Sequence, residues 1–241
     1  MKCAFTILFV FLCLSTTARG QSIGQLFAFA CRSSNCPDGT KPNSVIQASD
    51  GNLYGTTDGP GGGGIFKLTE SGQITVLYTF KTNTKTGFYD QGYSPAGLAE
   101  GTDGFLYGVN SAGGPNSASS GTVFKISKTG TGFQVLETFC TSCTTGAAPV
   151  GPFLQATDGN LWNTSYVGGS SGLGLVFSIT PSGGIVEELS LTPAVGVSPI
   201  GGVLQATDGT LFGAASADGT APPGETASGT VYKITGLPAK K

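Results

Sequence analysis

The stretch QASDGNLY, residues 47–54, decides the fold, because it recurs as EGTDGFLY (100–107), QATDGNLW (155–162) and QATDGTLF (205–212). Its aspartates, Asp50, Asp103, Asp158 and Asp208, are 53, 55 and 50 residues apart. A period of that size in a chain poor in helix signals points to a propeller, solenoid or array, whose units cannot bury their apolar faces alone. Asp-Gly between two apolar runs is a strong hairpin signal, so each copy contributes at least one tight strand pair.

Working outward from the first copy, 44–48 reads as strand a, Asp50-Gly51 as the turn and 52–57 as strand b. A Gly-rich loop then leads to strand c, GIFKL (64–68), and a Ser-Gly turn to strand d, ITVLYTF (74–80). Strand c returns as GTVFKI (121–126), GLVFSI (174–179) and GTVYKI (229–234). Strand d returns as FQVLETF (133–139) and IVEELSL (185–191). The fourth copy has no strand d, while IGQLFAF (23–29) resembles the missing piece. The pattern predicts an all-β, four-bladed β-propeller with blades at about 44–80, 95–139, 150–191 and 199–234, closed by 23–29 as outer strand of the last blade. A β-sandwich or solenoid built from the same hairpins is the alternative.

The first 20 residues, MKCAFTILFVFLCLSTTARG, combine an early lysine, an apolar run and small residues at Ala18 and Gly20. They read as a secretory signal peptide, leaving a single domain over 21–241. A lipoprotein reading fits less well, since Leu12 precedes Cys13 where a small residue is needed. Without Lys2 and Arg19 the chain keeps 10 basic residues against 14 acidic ones, net −4, which gives nucleic acid no basic face. The 40 glycines and 11% charged residues fit short strands and tight turns, and 39% hydrophobic residues in register argue against disorder. In an exported protein the four remaining cysteines are expected as two local disulfides, Cys31 to Cys36 and Cys140 to Cys143. The rival is a four-cysteine metal site, which the unequal spacings disfavour.

The combined motifs, Asp-Gly-x-Leu-Tyr-Gly, a Gly-rich loop, Gly-Thr-Val-Phe-Lys-Ile, a Ser-Gly turn and Val-Leu-Tyr-x-Phe, resemble the GloVer tandem repeat of exported bacterial proteins. The resemblance covers essentially the whole of 21–241. It implies export and repeat architecture and carries no biochemical activity. Members often have C-terminal surface anchors, which are not expected here from the ending GLPAKK. A shorter similarity, in Asp-Gly-x-Leu-Trp, is to streptogramin lyases and sensor-domain propellers. The lyase likeness would imply a catalytic histidine.

The sequence contains no histidine, which removes the usual general base, the usual zinc ligand and any Ser-His or Cys-His pair. GGSSG (168–172) has the form of a nucleophile elbow but lies in a Gly-rich loop. The repeated aspartates are expected to stabilise their own turns, and Tyr54, Tyr107, Trp162 and Phe212 to form core between blades. Asn163 opens a glycosylation sequon. Gln47, Glu100, Gln155 and Gln205, three residues before each turn aspartate, form either a channel ring with oxygen ligands for water or a cation, or a set of strand-end caps.

Propeller topology puts the segments 58–63, 110–120, 166–173 and 215–228 on one face with both cysteine pairs. The insert KTNTKTGFYDQGYS (81–94) brings Phe88, Tyr89, Asp90 and Tyr93 there, near Tyr166. Rings beside amides and carboxylates suit a sugar surface, and the alternative is that they pin their own loop. The expected function is a secreted, non-catalytic module that binds an extracellular glycan or surface protein. No cofactor, metal or membrane span after leader removal is assigned. The rival readings are a lyase or hydrolase using Glu100 and Asp90, and a structural envelope or matrix protein.

Overall fold

The computed structural model describes residues 21–31, 36–59, 61–115, 119–140, 146–219, 226 and 228–237. The leader expected at 1–20 lies outside them. The described residues form four antiparallel sheets and no helix. The first sheet is β1 (Pro42–Gln47), β2 (Leu53–Thr57), β3 (Gly64–Leu68) and β4 (Ile74–Thr79). The second is β5 (Tyr93–Glu100), β6 (Leu106–Ala112), β7 (Ser119–Ile126) and β8 (Gln134–Cys140). The third is β9 (Ala147–Gln155), β10 (Leu161–Val167), β11 (Leu175–Ile179) and β12 (Ile185–Ser190). Each pairs in chain order, as a four-stranded meander.

In the fourth sheet the inner strand is split into β13 (Val197–Pro199) and β14 (Leu204–Gln205). Both pair with β15 (Leu211–Ala217), which also pairs with β16 (Thr230–Ile234). Gly201 and Gly202 occupy the break. Thr164 of the third sheet donates its hydroxyl to the Gly201 carbonyl at 2.5 Å.

Local chemistry accounts for the hairpins. The glycine after each turn aspartate, at 51, 104, 159 and 209, has φ between 80° and 91°. A side chain there would be strained, and glycine enters that region without cost. The aspartate then accepts from the backbone two residues on, as in Asp158 Oδ1 from Asn160 N at 3.0 Å and Asp208 Oδ1 from Thr210 N at 2.9 Å.

The core lies between sheets, not within one. Tyr54, Ile65 and Phe80 of the first pack on Leu98, Leu106 and Phe124 of the second. Tyr107, Val123 and Phe139 of the second join Phe153, Leu161 and Phe177 of the third. Trp162, Val176 and Leu191 of the third meet Leu211, Ala215 and Tyr232 of the fourth. Period-2 strands thus turn one set of side chains to the preceding blade and the other to the next.

A proline opens each blade, and those of the last three blades lock the junctions. Pro42, Pro95, Pro149 and Pro199 all follow a residue in the left-handed region, Lys41, Ser94, Ala148 and Ser198, with φ of 48–55°. That geometry costs on the order of 1 kcal/mol per site for a non-glycine residue. It aims the proline at a glycine of the preceding blade: a Cβ would fall 2.9 Å from Pro95 Cδ at Gly63, and 2.5 Å from Pro149 and Pro199 Cδ at Gly121 and Gly174.

The closing strand expected at 23–29 is not formed among the described residues. Residues 21–31 carry no strand pairing, and no strand of the fourth sheet packs on the first as neighbouring blades do. The segment lies instead on the first blade, with Phe29 against Phe66 at 5.1 Å between ring centroids.

Candidate functional site at the loop rim and the turn end

The connections into the second blade carry the predicted aromatic rim. Tyr89 and Tyr93 stand together, ring centroids 4.8 Å apart and tilted by 47°. The Tyr89 carbonyl accepts from Gly92 N at 2.7 Å and Gly114 N at 2.9 Å, and its ring lies over Gly62 of the first blade. The Tyr93 ring lies over Gly113. Both tyrosines therefore fix their loop, and each remains half-exposed.

Asp90 is held from within the loop, by Asn83 Nδ2 and by Thr86 Oγ1 at 2.9 Å. Gln91 bonds the Tyr78 hydroxyl through its side chain, and its carbonyl accepts from Asn110 Nδ2 and Thr122 Oγ1, each at 2.9 Å. Phe88 keeps 38% of its surface exposed at the tip. Tyr166, at the end of β10, is 43% exposed. No ring contact joins it to the tyrosine pair among the described residues.

Two cysteines of the rim, Cys31 and Cys36, form the expected disulfide, with an S–S distance of 2.02 Å. Cys140 is disulfide-bonded as well, and its expected partner Cys143 lies outside the described residues. Asn163 of the sequon is fully buried and donates to the Gly151 carbonyl at 3.1 Å, which leaves no path for a glycan.

At the opposite, turn-bearing end, the residues considered for a channel ring reach sideways. Glu100 Oε2 accepts from Ser49 N at 2.6 Å, Gln155 Oε1 from Thr102 N at 3.3 Å and Gln205 Oε1 from Thr157 N at 3.1 Å. Each caps the turn of the preceding blade. The Gln155 and Gln205 Nε2 groups donate to their own turn carbonyls at Gly159 and Gly209. Gln47 donates to Gly51 O and to Glu70 Oε1, both at 3.2 Å.

The sequence reading missed Lys128. Its Nζ bonds Glu100 Oε1 at 2.5 Å and Ser49 Oγ at 2.9 Å, while Ser49 Oγ also donates to Glu100 at 2.7 Å. Partial burial works to raise the Glu100 pKa. The hydrogen bonds from Lys128 and Ser49 and the Lys128 charge outweigh it, and the carboxyl lies below its ordinary value.

The turn aspartates do a second job that no local signal announced. Asp50, Asp103 and Asp158 accept from Tyr54 OH (2.9 Å), Tyr107 OH (2.6 Å) and Trp162 Nε1 (3.0 Å), so the polar tip of each buried aromatic finds a partner. Burial, then the Asp103 hydrogen bond and charge, pushes the Tyr107 hydroxyl well above its usual range. The spacing that allows it, Asp at i and aromatic at i+4 across a hairpin turn, is written in the repeat itself.

Asp90 and Glu100 lie at opposite ends of β5. Seven steps along the strand, at ~3.3 Å per residue, separate Tyr93 from Glu100 by about 20 Å. Carboxylate pairs that act on one bond lie within roughly 10 Å. The geometry therefore does not assemble these two into an acid–base pair.

Among solved structures, a gluconolactonase from Xanthomonas campestris is 14% identical, matching 82% of this chain and 63% of its own with a TM-score of 0.50. A second protein described as a gluconolactonase is 16% identical, matching 82% of this chain and 64% of its own at the same TM-score. Virginiamycin B lyase from Staphylococcus aureus, solved as an inactive histidine-to-alanine variant with quinupristin, is 18% identical, matching 73% of this chain and 50% of its own, at 0.46. The chain thus spans between half and just under two thirds of these proteins, and the likeness to the two gluconolactonases shows a propeller-like all-β fold. No curated protein matches it. The model of the Gloeobacter/Verrucomicrobia repeat matches residues 41–239, most of the chain and all four Asp-Gly copies, and the chain belongs to that repeat family.

Proposed function

We propose that this protein is an exported, non-catalytic binding module that takes an extracellular glycan or the glycan of a surface partner on its loop-rich rim. The observation that carries the reading is the Tyr89–Tyr93 pair. Two half-exposed rings are held rigid by backbone bonds to the loops of two blades, with Phe88 beside them and Asn83, Asp90 and Gln91 in the same loop. Sugar rings present apolar C–H faces to aromatic groups and hydroxyls to amides and carboxylates, and pre-formed loops avoid an ordering cost on binding. The disulfide at the same rim fits an oxidising compartment. The absence of histidine from the sequence and the separation of Asp90 from Glu100 weigh against acid–base catalysis.

Completion of the last blade by residues 23–29 belongs to this reading, because a rigid closed scaffold keeps the rim loops in place. Pairing with β16 is supported by the match of IGQLFAF to the strand d segments.

A glycan array probed with the exported protein, followed by titration of any hit, tests the proposal. Binding that falls at least tenfold in Tyr89→Ala/Tyr93→Ala, with thermal stability retained, supports it. No binding on the array, or binding unchanged in the double variant, overturns it.

A further inference from the structure

Each junction between successive blades is built from the same parts, and the unused halves of a fourth junction sit at the two ends of the arc. On the face that each blade turns to the next, Ile65, Val123 and Val176 of strand c are 1%, 0% and 2% exposed. The equivalent Val231 of the last blade is 77% exposed. Leu204 beside it is 60% exposed, and Phe212, at the place of Tyr54, Tyr107 and Trp162, is left half-buried. Together with Ala214 they line an open apolar groove of about 440 Å³.

The first blade holds the complement. Pro42 is exposed, whereas Pro95, Pro149 and Pro199 each press on a glycine ahead of a strand c. Gly229, ahead of β16, meets no proline among the described residues. Among the described residues the Gln47 Oε1 caps no turn, and the amide of Thr207, placed like Ser49, Thr102 and Thr157, receives no such cap.

Residues 23–29 already lie against the first blade where the strand d of a preceding blade would pack. Phe29 meets Phe66 at 5.1 Å, as Phe80 meets Phe124 at 5.5 Å and Phe139 meets Phe177 at 5.1 Å. Leu26 lies against the turn glycine Gly72, as Leu77 lies against Gly130 and Leu136 against Gly183. The outer edge of this segment and the edge of β16 both lack a strand partner among the described residues.

We propose that the two ends join between two copies of this chain, each seating its first blade and residues 23–29 on the last blade of the other, so that two arcs close one eight-bladed ring. Within one chain no strand of the fourth sheet packs on the first as neighbouring blades do, and the three existing junctions are held by proline–glycine contacts. Contact between copies repeats those junctions as they stand. A two-fold axis through the ring satisfies both ends at once, and eight blades lies within the range that propellers adopt. A single strand-edge addition supplies main-chain hydrogen bonds, and the covered apolar groove supplies the burial.

The register of the c–d strand pairs within the first three blades sets Gly64 opposite Thr79, Thr122 opposite Thr138 and Leu175 opposite Ser190. It therefore places Ala28 of one copy opposite Thr230 of the other. Exported protein carrying Ala28→Cys is mixed under oxidising conditions with protein carrying Thr230→Cys, and the untreated protein is weighed by sedimentation. A disulfide-linked pair from the mixture and a mass of twice one chain are expected. Val231→Glu, which leaves the packing within one chain untouched, is expected to return the mass to that of one chain with its folded spectrum intact. A single-chain mass, an intramolecular bond in the Ala28→Cys/Thr230→Cys double variant at single-chain mass, or a ladder of open head-to-tail assemblies each overturns the proposal.

Discussion

Replacing Glu100 separates the two roles its carboxylate plays, and the molecule contains its own control. Glu100 takes three hydrogen bonds, from Ser49 N, Ser49 Oγ and Lys128 Nζ, at 2.5–2.7 Å, with only 17% of its side chain exposed. Gln155 and Gln205 make the same turn cap with a carboxamide. Glu100→Gln therefore keeps the cap and loses the charge. Hydrogen bonds to a charged group contribute roughly 1.5–3 kcal/mol against about 1 for a neutral pair, and the ion pair with Lys128, which is 23% exposed, is partly screened. The expected cost is about 1 kcal/mol. Glu100→Ala removes the cap as well and strands the Ser49 amide and the Lys128 ammonium, for about 2–3 kcal/mol.

The same pair of variants fixes the pH dependence. The folded-state pKa of Glu100 is lowered, so its contribution is fully present above the unfolded value of ~4.3 and is lost as pH falls through the lower folded value. Urea denaturation between pH 7 and 3 reads both effects. The wild-type protein should lose more stability on acidification than Glu100→Gln, whose residual slope comes from other carboxyls such as Asp50, also lowered. Equal costs for the Gln and Ala variants, or an acid slope unchanged by Glu100→Gln, would refute the assignment of cap and charge to this carboxylate.

Two other substitutions follow from packing. Tyr232 stands where Phe66, Phe124 and Phe177 stand in the other blades, its buried hydroxyl has no partner among the described residues, and burial raises its pKa to about 12. Tyr232→Phe removes an unsatisfied polar group and should raise stability by about 1–2 kcal/mol in thermal or urea unfolding. At Gly108 a Cβ would lie 2.4 Å from Phe124 Cζ and 2.8 Å from the Gly97 carbonyl. Gly108→Ala should destabilise by roughly 2–3 kcal/mol, seen as a lowered urea midpoint with an unchanged slope.

Much of the fold is local and was legible for that reason. Asp50-Gly51 and its three counterparts need only their own turn chemistry, and the c strands GIFKL and GTVFKI carry their pairing in a period of two. The observed strands fall within two residues of the expected ones in β2, β3 and β4. The expectation that Tyr54, Tyr107 and Trp162 lie between blades agrees with exposures of 0–3%, whereas Phe212, expected there too, is half-buried on an open groove. Within the candidate site the rings of Tyr89 and Tyr93 lie together, Tyr166 makes no ring contact with them among the described residues, and Asp90 is tied to Asn83 and Thr86. The burial of Asn163 was not legible, because a sequon carries no record of which face of β10 its asparagine takes.

The sequence by itself determined that this protein consists of four copies of one hairpin-rich unit, with turns, strand faces and a displaced strand-like segment at 23–29. These depend on residues a few positions apart, and their physics is exhausted over that distance. Only the tertiary structure decided where the copies meet: Glu100 on the turn of the blade before it, Lys128 beside both, prolines on glycines 25 or more residues away, and a bare face at Val231 opposite an occupied one at Phe66. Those contacts depend on the angle between blades, which is set by the summed packing of whole sheets and is written in no single segment of the chain.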